Sequence, residues 1–302
     1  ITGMDYITSQ EYFKDELINN SDSFSYIRNV WKCYSHRNLL LSISSKLFDE
    51  DIDMFFSVAN SILDSIDNYA KDAQEGVFPE PVNYFSNSKY SAEIIKGVFE
   101  TIAILGNNES SFSNCTKNHI SNQIWEIERR TFSCSKARSY YILSEYFQYL
   151  GEAQPKTFLN EIDKLMKGKS EPFIEFLRCE NENKHVYKGY YHLDRIIRCL
   201  AVDERHFASA INIIVQLAQF DSRFIDTAVY ILLPWYPQTQ ASITKRIAII
   251  RSLATTNEEI IWGILMKLMP GKTTSSISLE KPEFMEELEL PEKTSNADFV
   301  KA

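Results

Sequence analysis

Glycine and proline are scarce in this chain, nine of each among 302 residues. An architecture of strands and tight turns needs turn residues about every ten positions, so the shortage argues against an all-β design. Positive charge is short as well: 32 Lys and Arg stand against 41 Asp and Glu, a net charge of −9. A nucleic-acid groove displaces counterions with an excess of Lys and Arg, so nucleic acid is set aside and proteins and small ligands remain as partner classes. No apolar run approaches the ~20 residues that cross a bilayer, and the surroundings of Ile1 are polar, so neither a membrane span nor a secretory leader is expected. The five cysteines (Cys33, Cys115, Cys134, Cys179 and Cys199) are odd in number and form no Cys-x-x-Cys pair. That usage fits reduced thiols in a cytoplasmic protein and predicts no zinc site. A start on Ile1 instead of Met reads as a piece of a longer protein.

What is present is helical periodicity. Over residues 51–70, Ile52, Phe55, Phe56, Ala59, Ile62, Leu63, Ile66 and Tyr69 recur at spacings of three and four, which predicts a helix with one apolar face. Residues 76–87, with Pro79 and Pro81, read as a loop. Ser91 is placed to cap a second helix, closed by Gly106. A third is expected over 136–150 with Gly151 as its terminator, and its tyrosines (Tyr140, Tyr141, Tyr146, Tyr149) predict buried rings with wet hydroxyls. Pro155 opens the next helix and Gly168 ends it. Further helices are expected over 185–200, 203–220 and 224–233, and two more follow, the last running from a cap at Asn257 to Pro270. The fold class is therefore all-α, an irregular, solenoid-like array of helical hairpins without a fixed period. The chain exceeds the ~250 residues at which single cores stop growing. Composition divides it into an N-terminal helical subdomain (1–87), a helical-repeat subdomain (88–271) and a polar, Glu-rich exit segment (272–302).

Constellations that carry chemistry are few. Gly271-Lys272-Thr273 ends like a phosphate loop, but the required first glycine would stand at position 266, which is Met266, and the segment follows a helix. His185, His192, Cys199 and His206 recur every seven residues, a rise of ~10.5 Å per step that keeps two of them from sharing one ion. Asp49, Glu50, Asp51 and Asp53 are acidic residues at a helix start, where the dipole alone explains them. No catalytic, cofactor-binding or metal-ligating residue is assigned.

Two features read as candidate partner contacts. The sequence LPWYPQT at residues 233–239 holds Trp235 and Tyr236 between two prolines. A bulky pair on so stiff a turn loses little entropy on binding and has the composition of an interface hot spot, although the same pair would also plug its neighbouring helices. Trp235, Tyr236 and Gln238 are the candidates there. Arg129 and Arg130, with Lys136 and Arg138 nearby, form the one compact basic patch.

Several segments in order carry a resemblance. They are YSAEIIKG at 90–97 with ETIAILG at 100–106, LGEAQPKTFL at 150–159, LPWYPQT at 233–239, Arg246, Trp262, LMPG at 268–271 and KPEF at 281–284. Together they resemble the helical-repeat region of large bacterial STAND-type NTPases, a group that includes anti-phage sensors. Tyr236 stands where that family's pattern has His, and Ile95 where Arg is common. The resemblance implies a sensor or scaffold that binds a phage protein and relays this to other domains of the same protein. ATP and Mg belong to the parent protein's nucleotide-binding domain, and the parent is expected to be a homo-oligomer. The alternatives are a structural module for oligomerisation or docking, and a cryptic helical nuclease.

Overall fold

The one-faced apolar periodicity of residues 51–70 becomes a helix of 24 residues, and the same logic builds the rest of the chain. The computed structural model describes residues 24–27, 30–72, 88–178, 190–233, 238–269 and 280–285, together with Thr8. Among them are thirteen α-helices: α1 (His36–Ile43), α2 (Asp49–Asp72), α3 (Ala92–Asn107), α4 (His119–Thr131), α5 (Ala137–Ser144), α6 (Phe147–Ala153), α7 (Pro155–Lys167), α8 (Glu171–Arg178), α9 (Tyr190–Leu200), α10 (Glu204–Leu217), α11 (Arg223–Leu232), α12 (Ile243–Ala254) and α13 (Glu258–Leu268). A short antiparallel hairpin, β1 (Phe24–Ile27) and β2 (Val30–Cys33), pairs Phe24 with Cys33 and Ile27 with Val30. The class is all-α.

The helices lie in two rows. In one, α3 packs on α6, α6 on α9, α9 on α11 and α11 on α13; in the other, α2 packs on α4, α4 on α7 and α7 on α10. Consecutive members α3 and α4, α6 and α7, and α9 and α10 join the rows as hairpins. Helices α5 and α8 pack on each other between these hairpins, which is why no fixed period survives in the sequence. One contiguous core runs from Ile52 on α2 to Ile264 on α13. Its hub is aromatic: Phe132, Phe147 and Phe158 meet at centroid distances of 5.2 to 5.8 Å, and Tyr140 stands edge-on to Phe173 at 5.3 Å.

Local signals held at several ends. The Ser91 hydroxyl accepts the Ile94 N–H at 3.4 Å, Pro155 opens α7, and the Asp203 carboxylate caps α10 through the Arg205 N–H at 2.7 Å. Others did not. The single helix expected over 136–150 is two, broken at Glu145 and Tyr146, and Gly151 lies inside α6 instead of ending it. Tyr140 is fully buried and donates its hydroxyl to the Phe132 carbonyl at 2.9 Å, so that hydroxyl is not wet. Asn257 makes no side-chain cap; its amide oxygen accepts from Gln219 at 3.0 Å. The loop expected over 76–87 and the acidic run after residue 285 lie outside the described residues.

Gly106 and Gly151 are contact glycines. A Cβ on Gly106 would stand 2.5 Å from the Ala153 carbonyl oxygen, and one on Gly151 would stand 2.5 Å from Ile196 Cγ1. They let α3, α6 and α9 approach closely, a close-contact use of glycine that a terminator role does not explain. Because the obstacle at Gly106 is backbone, Gly106→Ala is expected to destabilise the fold by about 2 kcal/mol, measured by urea unfolding.

Candidate functional site

Helix α13 has apolar residues on both sides. Ile261 and Ile264 are buried inward, and Gly263 meets α11 with only 3.5 Å between its notional Cβ and Ile225 Cδ1. Outward stand Trp262, Leu265, Met266 and Met269, with 64%, 39%, 47% and 55% of their surfaces exposed. Positions i, i+3 and i+4 share one helix face, so Trp262, Leu265 and Met266 form a single stripe, and Met269 follows where the helix ends. Beside it a cleft of 560 Å³ is lined by Ala254 of α12 and by Glu258, Glu259, Ile261, Trp262 and Leu265. Covering the stripe would release about 4 kcal/mol of hydrophobic free energy before the entropic costs of association.

Charge gives the cleft direction. Glu258 and Glu259 occupy the first turn of α13, where the helix dipole favours them, and both are exposed. Among the described residues neither has an ion-pair partner, whereas Lys267 at the other end is bonded to Asp226 of α11 at 2.5 Å. The arrangement is an apolar strip with an acidic rim at one end. It can hold an amphipathic segment carrying a basic residue.

The start of α12 is anchored by a buried cation. Arg246 of α12 donates Nε to the Ala241 carbonyl at 3.0 Å and Nη1 to the Leu233 carbonyl at 2.7 Å; Nη2 reaches the Thr239 carbonyl at 3.3 Å and its hydroxyl at 3.1 Å. Burial pushes its guanidinium down to about 10, which still leaves it charged at neutral pH. Three main-chain carbonyls and a hydroxyl replace its water, and in doing so fix the connection from α11 to α12.

The residues singled out in the sequence fall elsewhere. Trp235 and Tyr236 lie outside the described residues. Gln238 is buried and donates to the Tyr230 carbonyl at 3.3 Å, so it faces the protein. Arg130 donates to Asn60 at 2.7 Å and pairs with Asp64, both on α2. Arg129 stays exposed and lies 5.3 Å over the Trp125 ring. Arg129 and Arg130 sit on α4, which packs on α2, α3 and α7, while Gln238 lies between α11 and α12.

At the acidic start of α2, Asp49 and Asp53 engage residues that enter and begin α4, and Asp51 bonds within its own helix start. Asp49 accepts the Thr116 N–H at 2.9 Å, Asp51 accepts the Phe48 N–H at 3.0 Å, and Asp53 accepts from His119 at 2.8 Å and Gln123 at 2.7 Å. Of the heptad-spaced series, His185 lies outside the described residues, Cys199 is buried on α9, and His206 lies across the break on α10. Burial holds the His192 imidazole below its ordinary value. No cluster of three or more His, Cys, Asp or Glu side chains suited to a metal ion occurs among the described residues, and no described helix is long and apolar enough to cross a membrane.

No protein-family model, curated protein or solved structure matches this chain.

Proposed function

We propose that this chain is a protein-binding scaffold, the helical sensor part of a larger bacterial STAND-type NTPase of anti-phage defence. It captures a phage protein and relays its presence to ATPase and effector domains outside the chain. The observation that carries the binding role is the exposed Trp262–Leu265–Met266 stripe on α13 with Met269 at its end, too apolar to be left to water and rimmed by Glu258 and Glu259. Its complement is an amphipathic segment with bulky apolar residues and a Lys or Arg near one end, which the overall charge of −9 would attract. The assignment to a defence NTPase, with its cytoplasmic location, ATP and Mg in the parent and a homo-oligomeric parent, rests on the ordered segments of the sequence resemblance.

The test is affinity capture from phage-infected cells with the native chain and with Trp262→Ala, captured proteins being identified and then reassembled from purified components. A phage-encoded protein bound by the native chain and weakened at least about tenfold by Trp262→Ala supports the proposal, since a buried Trp anchor is worth about 2 kcal/mol or more. Binding equal in both chains overturns the site. Capture of the chain's own copies alone, through the same stripe, selects an oligomerisation module instead.

A further inference from the structure

A second site, independent of the α12–α13 cleft, is built around a segment that returns from far along the sequence. Residues 280–285 follow α13 after eleven intervening residues, yet they settle on α3, α6 and α9. Three contacts hold them. The Phe284 N–H donates to Oε2 of Glu152 on α6 at 2.7 Å. The Phe284 ring lodges against Ala103 and Ile104 of α3, with Leu40 and Tyr149 beside it and the Tyr149 centroid at 5.6 Å. At the rim, Glu280 pairs with Arg195 of α9.

These contacts have the form of peptide recognition. Glu152 is fully buried, and its second oxygen accepts from Gln148 at 3.1 Å. With the segment docked, the Phe284 N–H satisfies an oxygen that burial has cut off from water. Recognition of a main-chain N–H is blind to side-chain identity, whereas the aromatic slot and the cationic rim are selective. Ala103, Ile104 and Phe284 form a cluster separate from the main core. Met285 alone of the segment joins that core, while Glu280, Lys281 and Glu283 are exposed. Besides the three contacts, the segment is held by the Met285 side chain in that core.

We propose that the groove floored by Glu152 is a peptide-binding site whose ligand is the chain's own segment 280–285, bound reversibly in cis. The ligand chemistry is an extended acidic-x-Pro-x-aromatic-aliphatic sequence, read at Arg195, at Glu152 and in the α3 slot. Eleven residues separate this ligand from α13, so its docking adds a second link between α13 and the α3–α6–α9 row, which α11 already joins by packing.

The probe is a synthetic peptide of residues 279–286, Leu-Glu-Lys-Pro-Glu-Phe-Met-Glu, added to the full chain. Phe284→Ala in the chain empties the aromatic slot, and the free peptide is expected to bind this variant at least about tenfold more tightly than the native chain, where the tethered copy competes at high effective concentration. The same peptide with alanine in place of its Phe is expected to lose about tenfold or more in affinity. On the native chain, excess peptide is expected to raise hydrogen exchange across 280–285 while leaving α6 protected. Equal binding to native and Phe284→Ala chains, or no binding to a variant that keeps native helicity and cooperative unfolding, overturns the proposal. Unchanged exchange across 280–285 at millimolar peptide overturns it without reliance on any variant.

Discussion

Arg246→Met is expected to lower the unfolding free energy by about 3–5 kcal/mol. The guanidinium carries four hydrogen bonds, three of them to the carbonyls of Leu233, Thr239 and Ala241. Methionine fills much of the volume and supplies no donor, so those acceptors lose their partner together. Arg246→Lys recovers little, because one ammonium cannot reach acceptors spread around a planar fork. Urea unfolding measures the loss directly. A change under about 1 kcal/mol would mean that solvent reaches the carbonyls once the side chain is gone.

Glu128→Met works in the opposite direction, with an expected gain of about 1–4 kcal/mol at neutral pH. Glu128 lies fully buried on α4, and neither carboxylate oxygen nor the hydroxyl of Thr131 one turn later has a hydrogen-bond partner among the described residues. Burial, with the nearby Glu161 carboxylate, pushes its carboxyl well above the usual range. A carboxyl whose folded value is raised holds its proton more tightly in the native state, so its destabilising effect is absent below the unfolded value of about 4.3 and grows as pH rises toward the folded value. The advantage of Glu128→Met over the native chain should therefore widen from pH 4 to pH 7, as unfolding at both pH values would show. A variant less stable than the native chain at pH 7 would mean that the carboxylate has a charged partner in solution.

Much of the fold was legible because it is local. Helix α2 declares itself through eight apolar residues at helical spacing, and Ser91 and Pro155 mark the starts of α3 and α7 by chemistry that acts within one turn. The break between α5 and α6 was not legible, because Glu145 and Tyr146 contain no helix breaker. Tyr146 leaves the helical path where its ring stacks on Phe99 of α3, centroids 4.7 Å apart and planes 11° from parallel, a contact that only the tertiary fold creates. Gly106 and Gly151 look like stops in a sequence, and become contact points only when α3, α6 and α9 are brought together.

The candidate site was obscured for a related reason. In α13 the core-facing Ile261 and Ile264 are interleaved with the exposed Trp262, Leu265 and Met266, so between its charged ends the helix is apolar on both sides and its pattern has no silent face to mark the unpartnered one. A helix apolar on both sides outside a long buried core is the signal that could have been read. The contact between Glu152 and Phe284 spans 132 residues and leaves no local trace at all.

The central claim is that α13 presents its outer stripe to a foreign protein. A photo-crosslinking amino acid at position 265, within the stripe, tests this in phage-infected cells against the same group at position 175, which is exposed on α8 and remote from the cleft. A phage-encoded adduct at 265 that is absent at 175 is the expected result. Adducts at 265 to copies of this chain alone, or the same adducts at both positions, would contradict it.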